Sequence, residues 1–140
     1  MNSTRVFLDT NILIYLFDSA EPSRQEQAMA LFTRLAAEGR ITLSTQVLQE
    51  FFAVSTKKLP TPLDPEKAIT ALEAFASLPV VTVTPELVLL AAQTQRSEAL
   101  SFWDALIVQT ALAAGADILY TEDLQDGRRF GHMRVENPFT

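Results

Sequence analysis

Residues 6–15, VFLDTNILIY, form an apolar run that is interrupted at its centre by Asp9, Thr10 and Asn11. The apolar residues before Asp9 are typical of a short strand in a parallel sheet that is covered on both faces. Asp, Thr and Asn are also common turn and helix-cap residues, so the end of a strand explains them without a further role. A buried ionised carboxylate is nevertheless costly unless it is paired or bound to a metal. The stretch therefore predicts the first strand and makes Asp9 a candidate site residue.

The composition predicts one folded domain. At 140 residues the chain has the usual length of a single domain, so we expect one domain over residues 1–140. Its 48% hydrophobic and 20% charged residues are typical of a folded globular protein. The apolar run from Val6 stops too early for a signal peptide, and no stretch approaches the roughly 20 apolar residues of a membrane span. We therefore expect a cytoplasmic protein with no membrane partner.

The residue types limit the chemistry that the chain can carry out. It has no cysteine and one histidine, His132, which excludes disulfides, thiol nucleophiles and metal sites built on cysteine or on several histidines of one chain. Its 17 acidic and 11 basic residues give a net charge of −6, the wrong sign for binding nucleic acid through bulk charge alone. Carboxylates therefore remain as the groups for acid, base or metal chemistry.

Predicted strands alternate with predicted helices along the chain. Apolar or β-branched runs predict strands at residues 5–8, 41–43, 80–83, within 116–124, and a last edge strand at 133–135. Cap residues, prolines and glycines predict helices at residues 11–17, 45–59, 65–77, 85–98 and 102–114. A capping box at Ser23 and Glu26 predicts a further helix that runs to Gly39. This alternation predicts an α/β fold with a mostly parallel sheet.

Four acids stand out against this pattern, although each has a structural explanation of its own. Asp9 and Asp123 follow predicted strands, where aspartate is also a common turn residue. Asp104 is the one charged residue of the 102–114 helix, but a serine three residues earlier gives it capping-box spacing as well. Glu50 lies beside an apolar stripe of its helix, as many solvated glutamates do. Ligands of open α/β sheets bind beyond the carboxyl ends of the strands, so we expect Asp9 and Asp123 to share one acidic rim.

Four motifs, taken together and in order, resemble the acidic motifs of PIN-domain proteins, and more narrowly those of VapC-type toxins of bacterial toxin–antitoxin systems. They are VFLDTN at residues 6–11, LSTQVLQEFF at 43–52, SFWDALIV at 101–108 and ILYTEDL at 118–124. The resemblance covers essentially the whole chain. It implies a PIN-like three-layer α/β/α fold, with a central mostly parallel sheet and helices on both faces.

The resemblance also implies a site. In PIN-domain proteins the matching acids surround one metal site, and carried over to this chain they are Asp9, Glu50, Asp104 and Asp123. The accessory polar positions, which orient a carboxylate or a water, are matched by Asn11 and Thr121.

The chemistry of RNA hydrolysis suits such a site. The phosphate repels hydroxide, so hydrolysis requires positive charge where negative charge develops. Hard cations such as Mg²⁺ or Mn²⁺ supply it and prefer the oxygen ligands that this chain offers. We expect Asp9, Asp104 and Asp123 to bind the ion directly, and Glu50 to bind through a water or to orient the attacking water. The resemblance implies an Mg²⁺-dependent endoribonuclease that leaves a 5′-phosphate and a 3′-hydroxyl.

Contacts with RNA and with protein partners have weaker sequence signals. Basic residues that follow the acids are candidate phosphate contacts, although solvated surface charge is the more common explanation of each: Lys57, Lys58, Arg128 and Arg129. Trp103 is next to Asp104 and has a ring that can stack on a base, but an aromatic residue in an apolar helix is more typical of the core. The resemblance implies a homodimer and a cognate VapB-like antitoxin that covers the site.

Two other classes of function compete with the nuclease. A haloacid-dehalogenase-type phosphatase would need a second aspartate two residues after Asp9, where this chain has Asn11. The alternative from another class is a catalytically inert PIN-like protein-interaction module, since the apolar residues 12–17 and the LPTPL segment at 59–63 also suit protein contacts. Acids at every site position favour the nuclease over this module.

Overall fold

Strands and helices alternate along residues 4–140, the part of the chain that this computed structural model describes. The strands are β1 (Val6–Leu8), β2 (Ile41–Ser44), β3 (Val80–Val81), β4 (Ile118–Tyr120), β5 (Arg129–Phe130) and β6 (Met133–Glu136). The helices are α1 (Thr10–Tyr15), α2 (Pro22–Ala37), α3 (Thr45–Ser55), α4 (Pro65–Ala76), α5 (Pro85–Glu98) and α6 (Phe102–Ala113).

The strands form one six-stranded sheet in the order β3-β2-β1-β4-β6-β5. Every neighbouring pair is parallel except β5 with β6, which confirms the mostly parallel sheet. In the centre of the sheet β1 pairs with β4, and Leu8 lies opposite Tyr120. The residues that follow, Asp9 and Thr121, therefore leave the sheet side by side at its carboxyl edge.

Helices cover both faces of this sheet and complete the predicted three-layer α/β/α arrangement. Helix α1 packs against α2 and α3, and α3 packs against α4, whereas α5 and α6 pack against each other. The main core is formed by fully buried side chains of the sheet and of the first helices, such as Phe7, Leu13 and Phe51. A smaller apolar cluster lies between α5 and α6, around Ala91 and Ala105. In the part of the chain described here, every helix is too short or too polar for a bilayer crossing.

Predicted caps set most of the helix boundaries. The side chains of Ser44, Asp64, Thr84 and Ser101 each accept a hydrogen bond from a backbone N–H in the first turn of α3, α4, α5 and α6. Such caps satisfy N–H groups that have no partner within the helix. Gly39 follows α2 with a φ of 65°, a left-handed conformation that glycine adopts without strain.

Three local predictions are wrong. The capping box at Ser23 does not form, because α2 begins at Pro22 after Glu21 and this end has no side-chain cap. The segment at 133–135 is not the edge strand, because β5 pairs with it in an antiparallel hairpin whose turn begins at Gly131, with a φ of 59°. Helix α3 ends at Ser55, so the last residues of the predicted 45–59 helix lie beyond it.

Candidate active site

Asp9 and Thr121 form the centre of an acidic site at the carboxyl edge of the sheet. Asp9 follows β1 and caps α1, and its Oδ1 accepts a hydrogen bond from the Thr10 N–H at 2.7 Å. Its Oδ2 accepts a hydrogen bond from the Thr121 hydroxyl at 2.8 Å. The Asp9 side chain is buried, with 5% of the residue exposed. The helix cap therefore holds Oδ1, and the pairing of β1 with β4 holds Oδ2 by bringing Thr121 beside Asp9.

Asn11 and Asp123 extend this network towards the surface. The Asn11 amide donates to Thr121 Oγ1 at 3.2 Å and to Asp123 Oδ2 at 3.0 Å. The Asp123 N–H also donates to Thr121 Oγ1, at 3.0 Å. The Thr121 hydroxyl thus donates one hydrogen bond and accepts two, which leaves no hydrogen-bonding capacity unused. The structure thus brings Thr121 into contact with Asp9 and Asp123, and Asn11 into contact with Asp123.

Glu50 and Asp104 approach the same site from two helices. Glu50 lies on α3 and is partly buried, and its Oε1 is buried without a hydrogen-bond donor. Asp104 lies in the first turn of α6, where its N–H donates to Ser101 Oγ at 3.1 Å. The capping explanation of Asp104 is therefore correct. It is also compatible with a site role, because the Asp104 carboxylate lies within electrostatic range of Glu50.

Burial and mutual repulsion disfavour the ionised form of three of these acids. The pKa of Asp9 is raised to about 7, mainly by burial and to a smaller extent by Asp123 and Glu50, against hydrogen bonds from Thr121 and Thr10. Burial is also the main cause that raises the pKa of Glu50, with smaller contributions from Asp104 and Asp123. The pKa of Asp104 is raised by burial first and by Asp123 second. Asp123 therefore lies close enough to act on the other three acids, and Glu50 lies close enough to act on Asp9 and Asp104.

No basic side chain compensates this negative charge. The ion pairs between residues 4 and 140 are Arg24–Glu122, Arg40–Glu38, Arg128–Glu98, His132–Asp117 and Arg134–Glu136, and none includes a site acid. The neighbouring charges that shift the pKa values of Asp9, Glu50 and Asp104 are all carboxylates. Negative charge without a basic partner is the environment that attracts a cation.

The donor set fits a hard divalent cation. The site offers only oxygens and amides, and oxygens are the ligands that Mg²⁺ and Mn²⁺ prefer. Glu50 Oε1 and Asn11 Oδ1 are buried acceptors without a donor, a costly state that a cation or its water ligands would relieve. Within residues 4–140, however, no three acidic or histidine side chains already stand as a complete ligand group. Binding an ion therefore requires side-chain rotation towards it.

The basic residues singled out in the sequence lie apart from this arrangement. Lys57 and Lys58 are exposed beyond the end of α3, and Arg129 is exposed on β5. Arg128 is bound to Glu98 at 2.9 Å, and its guanidinium lies over the Phe130 ring. In the structure, none of these four basic residues contacts a site acid.

Sequence reasoning missed Gln46, which links the two helices of the site. Gln46 is 4% exposed on α3, and its amide donates to the Trp103 carbonyl on α6 at 3.3 Å. The Gln46 side chain also opposes the rise in the pKa of Glu50. The spacing of four residues between Gln46 and Glu50, which places them on one helix face, was the available signal.

A second missed group supports the loop that carries Asp123. The Tyr15 hydroxyl donates to Glu122 Oε1 at 2.7 Å, and Arg24 donates to the Tyr15 hydroxyl at 2.9 Å. Arg24 also pairs with Glu122 at 3.4 Å. These contacts join distant segments of the chain, and no local pattern in the sequence indicates them.

The prediction that Trp103 belongs to the core is wrong. It is 63% exposed, and its ring packs edge-on against Phe102, with 5.1 Å between the ring centroids. The buried run of α6 begins only at Ala105. Trp103 lies in the first turn, ahead of that run, and its side chain therefore faces solvent.

Comparison with known proteins identifies one family. The family model described as PIN domain matches residues 6–130, which includes all four site acids and both accessory residues. A comparison with curated proteins gives no significant match.

Solved structures share the fold at low sequence identity. The Mycobacterium tuberculosis toxin VapC20, described as sarcin-ricin loop cleaving, is 21% identical over 81% of this chain and 86% of its own, with a TM-score of 0.62. The DNA-bound VapBC of Salmonella typhimurium is 21% identical over 96% and 98%, with a TM-score of 0.68. VapBC-1 of nontypeable Haemophilus influenzae is 20% identical over 98% and 100%, with a TM-score of 0.67.

Proposed function

The chain belongs to the PIN domain family, and from that premise we propose that it is a metal-dependent endoribonuclease that acts as the toxin of a toxin–antitoxin pair. The observation that carries the proposal is the meeting of Asp9, Glu50, Asp104 and Asp123, from two strand ends and two helices, with no basic partner among residues 4–140. Asp9 caps α1, but between residues 4 and 140 its buried carboxylate has no cationic partner, which makes its ionised form costly.

Asp9, Asp104 and Asp123 would hold Mg²⁺ or Mn²⁺, and Glu50 would reach it through a water. When bound, the ion acts as a Lewis acid that makes water more acidic and offsets the charge developing on the phosphate. The residues of the chain provide the positioning. Thr121 fixes the Asp9 carboxylate, and Asn11 ties Asp123 to the same hydroxyl.

Glu50 is the residue that we assign to the attacking water. Its buried Oε1 has no donor from the protein, so it is available to accept a hydrogen bond from water. In-line attack forms a bond from the water oxygen to phosphorus and breaks the bond from phosphorus to the 3′ oxygen. The proton released by the water balances the one that the 3′ oxygen takes up, which yields a 5′-phosphate and a 3′-hydroxyl.

The biological setting belongs to the same proposal. Two of the structures described above are VapBC structures, and this supports a VapB-like antitoxin as a partner here. The homodimer is proposed from the resemblance of the motifs to VapC-type toxins. We also propose that the chain is one domain, since a single sheet contains strands from Val6 to Glu136. We propose that the protein acts in the cytoplasm, because that is where its RNA substrate would be.

Cleavage by the purified protein tests the proposal. Incubation with total bacterial RNA and Mg²⁺ should release fragments with 5′-phosphate and 3′-hydroxyl ends, and EDTA should abolish their release. Asp9→Asn should lower the rate by at least about 100-fold. Asp64→Asn is the matched control because Asp64 also caps a helix, outside the site, where asparagine caps equally well.

Two outcomes of this experiment would contradict the proposal. RNA that stays intact under all these conditions would favour the inert interaction module. Cleavage that survives both EDTA and Asp9→Asn would contradict the metal site. In cells, expression of the unmodified chain should arrest growth, and the Asp9→Asn variant should relieve the arrest.

A further inference from the structure

We propose that the exposed indole of Trp103 is a stacking platform for a nucleobase of the RNA next to the phosphate that is cleaved. This inference rests on the proposed function, since it assigns a substrate contact of the same site. Trp103 directly precedes Asp104 in the first turn of α6, so an RNA whose phosphate lies at the acids passes over this turn.

The indole is both accessible and held in place. Its exposure is 63%, although burial of a large aromatic ring is strongly favourable. The backbone of this turn is held by the Gln46 amide at the Trp103 carbonyl and by the Ser101 cap. Phe102 packs edge-on against the ring. A ring on a fixed turn loses little conformational freedom when a planar group stacks on it.

The charge distribution indicates why the site needs such a contact. The net charge of −6 repels a polyanion. Four of the eleven basic residues are in ion pairs with glutamates, namely Arg24, Arg40, Arg128 and Arg134, which leaves fewer cations to offset this repulsion. Stacking on an aromatic ring needs no positive charge, and every base has a face that can stack.

Because Trp103 is the one tryptophan of the chain, tryptophan fluorescence reports directly on the contacts of its ring. Its fluorescence can be followed in an Asp9→Asn background, in which bound RNA stays intact. The probes are short single-stranded oligoadenylate, oligouridylate and oligocytidylate, with an abasic ribose-phosphate chain of the same length as the control for backbone binding. Kd values come from the anisotropy of labelled oligonucleotides.

Three variants separate stacking from simple apolar contact. Trp103→Phe keeps an aromatic face, Trp103→Leu keeps apolar bulk without one, and Met29→Ala removes an exposed apolar side chain of α2, away from the site. We expect the base-bearing RNAs, but not the abasic chain, to quench the emission. Trp103→Leu should raise the Kd about 5- to 100-fold, whereas Trp103→Phe should retain most of the affinity and Met29→Ala all of it.

In the cleaving protein, in which Asp9 is unchanged, Trp103→Leu should mainly raise KM and leave kcat nearly unchanged. The reason is that stacking stabilises the bound substrate and the transition state alike. Unchanged KM, Kd and emission in a protein that still cleaves RNA would overturn this inference alone. Equal quenching by the abasic chain would also overturn it. Tryptophan emission that depends on protein concentration and not on RNA would place Trp103 between two copies of the chain and would overturn this inference. A protein that neither binds nor cleaves RNA would overturn both proposals.

Discussion

The Thr121 hydroxyl donates to Asp9 Oδ2 at 2.8 Å, although 112 residues separate the two along the chain. The parallel pairing of β1 with β4 brings them together, because each directly follows its strand. The same hydroxyl accepts from Asn11 and from the Asp123 N–H. One side chain without charge thus aligns two carboxylates that repel each other.

Removal of this hydroxyl should weaken metal binding. Thr121→Val deletes a hydrogen bond that lowers the pKa of Asp9, so a larger fraction of Asp9 is protonated at pH 7. We expect the affinity for Mn²⁺, measured by calorimetry, to fall about 10- to 100-fold, with RNA cleavage reduced in parallel. Thr121→Ser keeps the hydroxyl and should stay close to the unmodified protein. Equal affinities for all three proteins would contradict the role of this hydroxyl.

The buried Asp9 should also make stability depend on pH. Burial raises its pKa from 3.8 to about 7 in the folded chain. Between these values the unfolded chain has lost the proton while the folded chain keeps it, so the free energy of unfolding falls as pH rises. At about 1.4 kcal/mol for each pKa unit, the fall amounts to up to about 4 kcal/mol from about pH 4 to about pH 7.

Urea unfolding in EDTA across this range measures the effect. The Asp9→Asn variant cannot titrate at this position, so its free energy of unfolding should fall less steeply with pH. Asp64→Asn, at an exposed helix cap, should follow the unmodified protein. Parallel curves for the unmodified protein and Asp9→Asn would show that Asp9 has an ordinary pKa.

Glu50 and Asp104 should separate into two roles. Asp104→Asn removes a direct ligand and should weaken Mn²⁺ binding by at least about tenfold. Glu50→Gln removes the negative charge and the basicity of the group that we assign to the attacking water, so kcat should fall by about 100-fold or more while the Mn²⁺ affinity changes little. Single-turnover cleavage at saturating Mn²⁺, together with calorimetry, distinguishes them. Identical effects of the two variants on Mn²⁺ affinity would contradict this division.

Tyr15 should act as a positioning residue for the loop that carries Asp123. Tyr15→Phe removes the hydroxyl that donates to Glu122 and accepts from Arg24. We expect about tenfold weaker Mn²⁺ binding, and a loss of about 1 kcal/mol in the free energy of unfolding. Tyr120→Phe is the matched control, because the Tyr120 hydroxyl interacts with Arg34 rather than with the site. An equal loss of Mn²⁺ affinity in both variants would indicate a general effect of lost stability.

The parts of the site that follow from local rules could be predicted from the sequence. Asp9 and Thr121 meet because neighbouring parallel strands end at one edge, and apolar runs reveal such strands. Asp104 lies at a helix start that Ser101 caps, and a capping box is a local pattern. The PIN-domain motifs added Glu50, whose position beside an apolar stripe is not distinctive by itself.

The remaining features depend on contacts between distant segments. The link from Gln46 to Trp103 spans 57 residues, and the one from Tyr15 to Glu122 spans 107. No periodicity encodes such pairs. Trp103 was misassigned because an apolar helix predicts burial for its whole length, whereas its first turn extends beyond the packed layer. Strand β5 could not be predicted either, because its two residues are too few to show an alternation of apolar and polar residues.

The most direct test of the account is a crystal structure of the protein soaked with Mn²⁺, with the ion located by its anomalous scattering. We expect an anomalous peak about 2.0–2.4 Å from carboxylate oxygens of Asp9, Asp104 and Asp123, with Glu50 joined to it through a water. The peak should be absent from crystals of Asp9→Asn soaked in the same way. Mn²⁺ bound only elsewhere on the surface, or a peak that persists in Asp9→Asn crystals, would contradict the proposal that these acids form one metal site.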